Sequence, residues 1–353
     1  MIMSLSSPVL DRPVQSRLSA PNVAIVGATG AVGVELIRCL EERNFPLSSL
    51  RLLASPRSAG KQAQFRGAPL TIEALGPDSF TGIDIALFSA GSGISKEYGP
   101  IAVKAGAIVV DNSSAFRMDP ASPLVVPEVN AETIVGHNGV IANPNCVAII
   151  ACMPLWPLHR RHAIKRVHAA TYQAASGAGA AAMEELEAST RAHLAGEAYP
   201  PRVLKHPYAF NLFSHDAAVD PATGYNGEEL KVIAETRRIM GAPDLPISVT
   251  CIRVPVLRAH AIALTVEFEE PVTPAEARAI LAEAPGLRLV DDVAGNHFPM
   301  PIDAQGRDDV LVGRIRQDLG DPSGRSIALF VAGDQLLKGA ALNAVQIAER
   351  LLK

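Results

Sequence analysis

One stretch constrains this chain more than any other. Residues 22–40, NVAIVGATGAVGVELIRCL, read as a short apolar strand (22–26), a glycine loop (27–33) and a helix whose apolar positions are Val34, Leu36, Ile37 and Leu40. Gly27, Gly30 and Gly33 fall at the spacing G-x-x-G-x-x-G. Glycine lets backbone approach a pyrophosphate closely, and the helix start behind it offers free N–H groups and the positive end of a dipole. A glycine triplet alone also fits a tight turn that binds nothing; between a strand and a helix it predicts dinucleotide binding. Further strands at 50–55, 83–91 and 107–114, with a helix around 95–105, continue the alternation. The amino-terminal part is therefore expected to be a doubly wound, Rossmann-type parallel sheet within an α/β protein.

The pattern changes after residue 146. Strands with partial alternation are expected at 166–177, 247–255 and 260–270, and helices at 180–194, 227–240 and 273–284. The last of these opens with a Thr273 cap and Pro274 at its first position. This predicts a second, α+β domain with a mostly antiparallel sheet. The final stretch, QLLKGAALNAVQIAERLLK, reads as one amphipathic helix. With 353 residues and 48% hydrophobic content the chain can fill two cores. The expected division is a loose tail (1–20), a dinucleotide domain (21–145) completed by the helix at 334–353, and the second domain (146–333).

Composition narrows the function classes. Net charge is −4 and no dense Lys/Arg block occurs, so neither nucleic acid nor a membrane surface is an expected partner; HRRHAIKR (159–166) reads as a solvated segment. No apolar run approaches the ~20 residues of a membrane span. Cys39, Cys146, Cys152 and Cys251 are widely spaced and form no CxxC pair, so neither a metal site nor a disulfide framework is expected. Their apolar settings suit a reducing cytoplasm.

Cys146 is the exception among the four. In IANPNCVAII (141–150) it follows an Asn-Pro-Asn turn and opens a buried helix or strand. It is a small core residue or a nucleophile at a helix N-terminus, where dipole and free N–H groups lower a thiol's pKa. An activated cysteine beside a nicotinamide cofactor would suit aldehyde oxidation through a thiohemiacetal and a thioester. The loop after the second strand, LASPRSAGK (53–61), lacks the acidic residue that binds a ribose diol. Ser55, Arg57 and Ser58, with Lys61 nearby, suit a 2′-phosphate, so NADP is the expected cofactor; a solvated loop is the alternative.

GATGAVG, LASPRSAGK, DNSSAFRM, VPEVN, NPNC, YQAASGAG, EELK, RVPVLRAH and KGAALNAVQIAE occur in the order found in aspartate-semialdehyde dehydrogenases. The chain resembles that family over residues 22–352. The resemblance implies reversible, NADP-dependent conversion of aspartate 4-semialdehyde and phosphate to aspartyl 4-phosphate. That step stands at the branch to lysine (through diaminopimelate), threonine and methionine. It also implies a homodimer built through the second domain's sheet, with a tetramer as the alternative.

Residue roles follow from the resemblance. Cys146 matches the nucleophile, Gln173 the glutamine that orients the acyl intermediate, and His260 the general acid/base, an imidazole expected to titrate near neutrality. Arg253 matches the guanidinium that holds the substrate α-carboxylate. Spacing alone could not put Arg253 and His260 in one site. Glu228 and Lys231 lie one helical turn apart, by spacing a surface ion pair; by resemblance Glu228 binds the substrate amino group and Lys231 helps bind phosphate. Arg117 and Asn112 match further phosphate ligands. On the cofactor side the matching residues are Thr29, Ala31 and Val32 between the loop glycines, Ser89 and Gly91 near the adenosine, Ser176 and Gly177, and Asn343 near the nicotinamide.

Two departures stand out. Val147 and Ala148 replace small hydroxyl residues common after the nucleophile, and Leu337 stands where an arginine is common. The competing readings are an N-acetyl-glutamyl-phosphate reductase, whose motif is usually NPGC and whose uncharged amide would leave Glu228 without a role, and a non-catalytic NADP-binding paralogue.

Overall fold

The computed structural model describes residues 18–352. The expected tail lies outside the described residues up to position 17; Leu18 forms a parallel bridge with Leu352. Strands β1 (Asn22–Val26), β2 (Ser49–Ala54), β3 (Gln62–Phe65), β4 (Ala68–Ala74), β5 (Ile85–Phe88), β6 (Ile108–Asp111) and β7 (Val140–Ala142) form one sheet in the order β3-β4-β2-β1-β5-β6-β7. All neighbours run parallel except β3 and β4. Central strands β1, β5 and β6 are buried almost end to end, which is why they read as continuous apolar runs. The β3–β4 hairpin was not anticipated: it lies at the sheet edge and is mostly exposed, so it carries little apolar signal. Helices α1 (Ala31–Glu42) and α2 (Ser92–Lys104) occupy the predicted positions, with Val34 turned out to solvent.

A short helix α3 (Pro127–Asn130) leads towards α4 (Cys146–Arg161), and with α4 the second unit begins to build its core. Its strands are β8 (Ile164–Gln173), β9 (Phe213–Ser214), β10 (Ile247–Arg253), β11 (His260–Phe268), β12 (Leu287–Leu289), β13 (Val310–Gln317) and β14 (Ser326–Gly333), in the order β12-β13-β14-β11-β8-β10-β9. The pairings β8–β10 and β12–β13 are parallel and the others antiparallel, as the expected α+β class requires. Helices α5 (Ala180–Leu194), α6 (Gly227–Ile239) and α7 (Pro274–Ala282) match the reading, and the Thr273 hydroxyl accepts the Glu276 N–H as a capping box. A short α8 (Pro301–Ala304) precedes β13.

The carboxyl-terminal segment is not the single amphipathic helix expected. Leu337–Ala341 form a π turn, and α9 (Leu342–Glu349) follows. Both are buried on nearly all sides, against α1, α3 and α4. Lys338, Asn343 and Gln346 mimic a solvent face in the sequence, yet they satisfy one another and Glu128 inside the protein. Leu337 is fully buried in the cluster that α9 shares with β1 and α1.

Candidate active site

Strand direction assembles the first half of the site. β8 and β10 run parallel with Gln173 opposite Arg253, so both residues end at one edge of the sheet. β11 runs antiparallel to β8, pairing Ala261 with Tyr172, so its first residue, His260, arrives at the same edge. A parallel and an antiparallel neighbour on either side of β8 thus unite Arg253 and His260, which sequence spacing could not. Gly177 closes this edge: a Cβ there would come within 2.9 Å of the His260 ring and 3.3 Å of the Arg253 guanidinium.

Helix α4 brings the second half. Cys146 is its first residue, half-buried, and the Asn145 side chain caps the helix by accepting from the Val147 and Ala148 N–H groups at 2.9 and 3.3 Å. The missing hydroxyls at 147 and 148 are therefore not needed to cap α4. The Asn145 amide donates to Glu228 Oε1 at 2.8 Å, and Gln173 Nε2 donates to the same oxygen at 3.2 Å. The Glu228–Lys231 ion pair suggested by spacing forms at 3.8 Å, but with only Lys231 exposed and the Glu228 carboxylate buried. One turn further along α6, Glu235 accepts the Asn145 backbone N–H at 2.5 Å and pairs with Arg117 at 3.2 Å. Glu235 escaped the sequence reading, although it lies seven residues after Glu228 on the same helical face. Arg117 also donates to the carbonyls of Asn143 and Asn112 at 3.0 and 2.7 Å. The Asn112 amide is itself engaged, with Phe88 O and with Asn143.

Two electrostatic expectations are overturned. Burial pushes the Cys146 thiol up to about 12, and the Glu228 carboxylate adds to the rise; Arg117, Arg253 and the Val147 N–H pull down less strongly. The helix N-terminus is present, but desolvation of the thiolate outweighs it. His260 does not titrate near neutrality: burial, the Arg253 guanidinium and His215 push it down to about 3. In this arrangement the pair is a neutral thiol and a neutral imidazole. Iodoacetamide should accordingly alkylate Cys146 slowly at pH 7, with a rate that keeps rising at least to pH 10. A plateau below pH 8.5 would contradict it.

The neutral ring has one available tautomer. The Ala174 N–H donates to His260 Nδ1 at 2.9 Å, so the ring proton resides on Nε2, which is buried without a partner among the described residues. His260 follows Ala259, which holds a left-handed φ of 73° and donates its N–H to Gln335 Oε1 at 2.8 Å. A non-glycine residue in that region is strained and has to be held by its surroundings. Gln335 also donates to the Ser176 hydroxyl, so the predicted cofactor ligand Ser176 is already committed inside the protein. Arg253 is paired with Asp216 at 3.2 Å and donates to His215 Nε2 at 2.9 Å. His215 and Asp216, adjacent in FSHD, are site neighbours that the sequence reading passed over.

The predicted cofactor residues other than Ser176, Gly177 and Asn343 cluster at the carboxyl ends of β1, β2 and β5. A Cβ on Gly27 would collide with the Ser89 carbonyl, and one on Gly33 with the loop's own backbone. The N-cap of α1, Gly30, makes no side-chain cap and the first turn carries no acidic residue, so Ala31, Val32 and Gly33 offer their N–H groups to an anion. Thr29 is exposed beside them, and Gly91, at φ 88°, opens α2 after Ser89. Ser55 and Arg57 are exposed after β2, whereas Ser58 is buried. Asn343 is fully buried and donates to Asn143 Oδ1 at 2.7 Å, joining α9 to the turn before Cys146.

The semialdehyde dehydrogenase NAD-binding domain matches residues 22–137, and the semialdehyde dehydrogenase dimerisation domain matches residues 155–338. An aspartate-semialdehyde dehydrogenase of Synechocystis is 54% identical over 94% of this chain and 97% of its own length. That of Prochlorococcus marinus is 48% identical over 99% of both. The crystal structure of aspartate semialdehyde dehydrogenase II from Vibrio cholerae complexed with ASA superimposes with a TM-score of 0.91 at 41% identity, covering 95% of this chain and 98% of that one. With both domains matched and relatives 54% and 48% identical over nearly the whole chain, the chain belongs to the aspartate-semialdehyde dehydrogenase family.

Proposed function

We propose that the protein interconverts aspartate 4-semialdehyde and aspartyl 4-phosphate with NADP and phosphate, through a thioester on Cys146. The observation that carries this reading is the bond chain Asn145–Glu228–Gln173. It ties the residue before the thiol to the sheet edge where Arg253 and His260 end. In the reducing direction the Cys146 sulfur bonds to the acyl carbon, the carbon–oxygen bond to phosphate breaks, and the thiol proton leaves with phosphate. NADPH, when bound, supplies the hydride that reduces the acyl carbon. The carbon–sulfur bond then breaks, releasing the aldehyde and restoring the thiol with one proton from solvent.

The chain's own groups set up these steps. His260 acts as a hydrogen-bond donor from Nε2 to the carbonyl oxygen, where negative charge develops. Gln173, whose amide is near Glu228, holds the acyl group. Arg253 takes the α-carboxylate in place of Asp216. Glu228, whose carboxyl is held below its ordinary range chiefly by His215 and the Asn145 amide against the cost of burial, stays anionic for the substrate ammonium. Arg117, Asn112 and the exposed Lys231 receive phosphate. The remaining parts of the reading are a homodimer through the second sheet, with a tetramer as the alternative, a cytoplasmic setting, and a place in lysine, threonine and methionine synthesis.

The test is NADP reduction with aspartate 4-semialdehyde, with and without phosphate, beside N-acetyl-glutamate semialdehyde. Phosphate-dependent turnover of the aspartyl substrate alone is expected; turnover of the acetylated one alone would refute the assignment. For cofactor choice, Arg57→Ala should raise the KM for NADP about tenfold more than that for NAD, the loss of one charge-assisted bond. Equal effects on both would count against a 2′-phosphate contact.

A further inference from the structure

Behind Cys146 lies a chain of polar side chains of which the reaction above uses only its far end, Asn112. Lys338, in the π turn, is 1% exposed. Its ammonium donates to Glu128, to Asn343 Oδ1 at 2.9 Å and to Gln346 Oε1 at 2.7 Å, which fills its donor capacity. Asn343 then donates through Nδ2 to Val125 O at 2.9 Å and to Asn143 Oδ1 at 2.7 Å. Asn143 donates through Nδ2 to Asn112 Oδ1 at 2.9 Å, and Asn112 donates to Phe88 O at 2.9 Å. Asn143 begins the Asn-Pro-Asn-Cys turn, and its carbonyl accepts from Arg117. Next to Lys338, Gly339 forms the wall behind the nucleophile: a Cβ there would come within 2.9 Å of Cys146 Cβ.

An amide side chain can face either way, because its oxygen and nitrogen ends have nearly the same shape. In this row the Val125 and Phe88 carbonyls, which can only accept, set one sense of donation. The Lys338 ammonium, which can only donate, agrees with that sense and ties Asn343 to Glu128 and Gln346. We propose that Lys338 is a positioning residue: it anchors the Asn343–Asn143–Asn112 relay and thereby holds the turn carrying Cys146 against the wall at Gly339. The proposal rests on the dehydrogenase reading, and wild-type turnover is the control that separates failure of the one from failure of the other.

The competing role for Lys338 is to neutralise Glu128. Three variants distinguish the two: Lys338→Met, Glu128→Gln and the double variant. Positioning predicts that Lys338→Met lowers kcat by roughly 10- to 100-fold, the effect of a slightly misplaced reacting group, with KM for phosphate and aldehyde changed less than threefold. Glu128→Gln leaves Lys338 its acceptors Asn343 and Gln346, so kcat should stay within threefold while the melting midpoint falls. The double variant has no unpaired buried charge, so its melting midpoint should recover towards wild type while kcat stays at least tenfold down. Recovery of kcat in the double variant would overturn the proposal, because charge balance would then explain everything. So would wild-type kcat in Lys338→Met, or failure of both Lys338 variants to fold, which would make the residue structural.

Discussion

Substitution of Cys146 by serine is expected to lower phosphate-dependent aldehyde oxidation by roughly 10⁴-fold or more, while binding of NADP is unchanged within a factor of about two. The size of the effect follows from the neutral pair at the site. The Cys146 thiol already resists ionisation, and a serine hydroxyl resists it further and is a poorer nucleophile toward an acyl carbon. His260 cannot compensate, because its Nδ1 is occupied by the Ala174 N–H and its Nε2 bears the proton. The swap is smaller by less than one methyl group and sits at a half-buried helix start, so the fold should survive with a melting midpoint close to wild type. Pre-steady-state acyl transfer and cofactor fluorescence titration, run on the same preparation, separate loss of chemistry from loss of structure. Residual activity within a hundredfold of wild type would mean that Cys146 is not the nucleophile.

The second large effect is on stability. Replacing Glu235 with alanine should cost about 3–5 kcal/mol, the range found when one member of a buried ion pair is removed. The carboxylate is 2% exposed and serves two donors, the Asn145 N–H and the Arg117 guanidinium. Its loss strands a buried cation and unties the cap residue of α4. Glu235→Gln keeps the acceptor for Asn145 and should lose clearly less. The pH dependence has a definite sign. Burial raises the Glu235 carboxyl above its ordinary range, with Arg117 opposing. The folded protein thus binds this proton more tightly than the unfolded chain. The advantage of wild type over Glu235→Gln should be greatest below the unfolded carboxyl pKa and shrink as pH rises through the folded one. Urea denaturation of the three proteins across the acidic range checks both statements. An advantage that grows with pH would show that the Arg117 pairing dominates instead.

What the sequence disclosed divides along the range of the interactions. Strand β1, the glycine loop and α1 were legible because each signal is local: an apolar run, glycines where backbone comes close, then a 3.6-residue period. The Thr273 cap was legible for the same reason. The β3–β4 hairpin was not, since an exposed edge strand has no buried face to advertise. Within the site, Cys146, Gln173, Arg253 and His260 could be named through resemblance, but their meeting depends on the parallel β8–β10 and antiparallel β8–β11 pairings, which no window of sequence contains. Glu235, His215 and Gln335 went unread because ordinary helix or loop positions gave no reason to single them out. The ionisation expectations failed on burial, a property of the whole fold: at Cys146 its cost outweighs the helix start and two nearby guanidiniums together.

The π turn at 337–341 makes chain length itself a determinant here. The π turn opens this helix shortly after β14, and it winds in one residue more than an α-helical turn, so its first residues sit about 100° from where a regular helix leading into α9 would put them. That offset lets Lys338 and Gly339 look toward Glu128 and Cys146 while Leu342 and Val345 look toward the dinucleotide sheet. Deleting any single residue from the turn would permit a regular helix and rotate everything downstream, taking Asn343 away from Asn143. A segment with this property tolerates exchange of side chains far better than a change in their number. In alignments of related chains it should be free of gaps even where its residues vary.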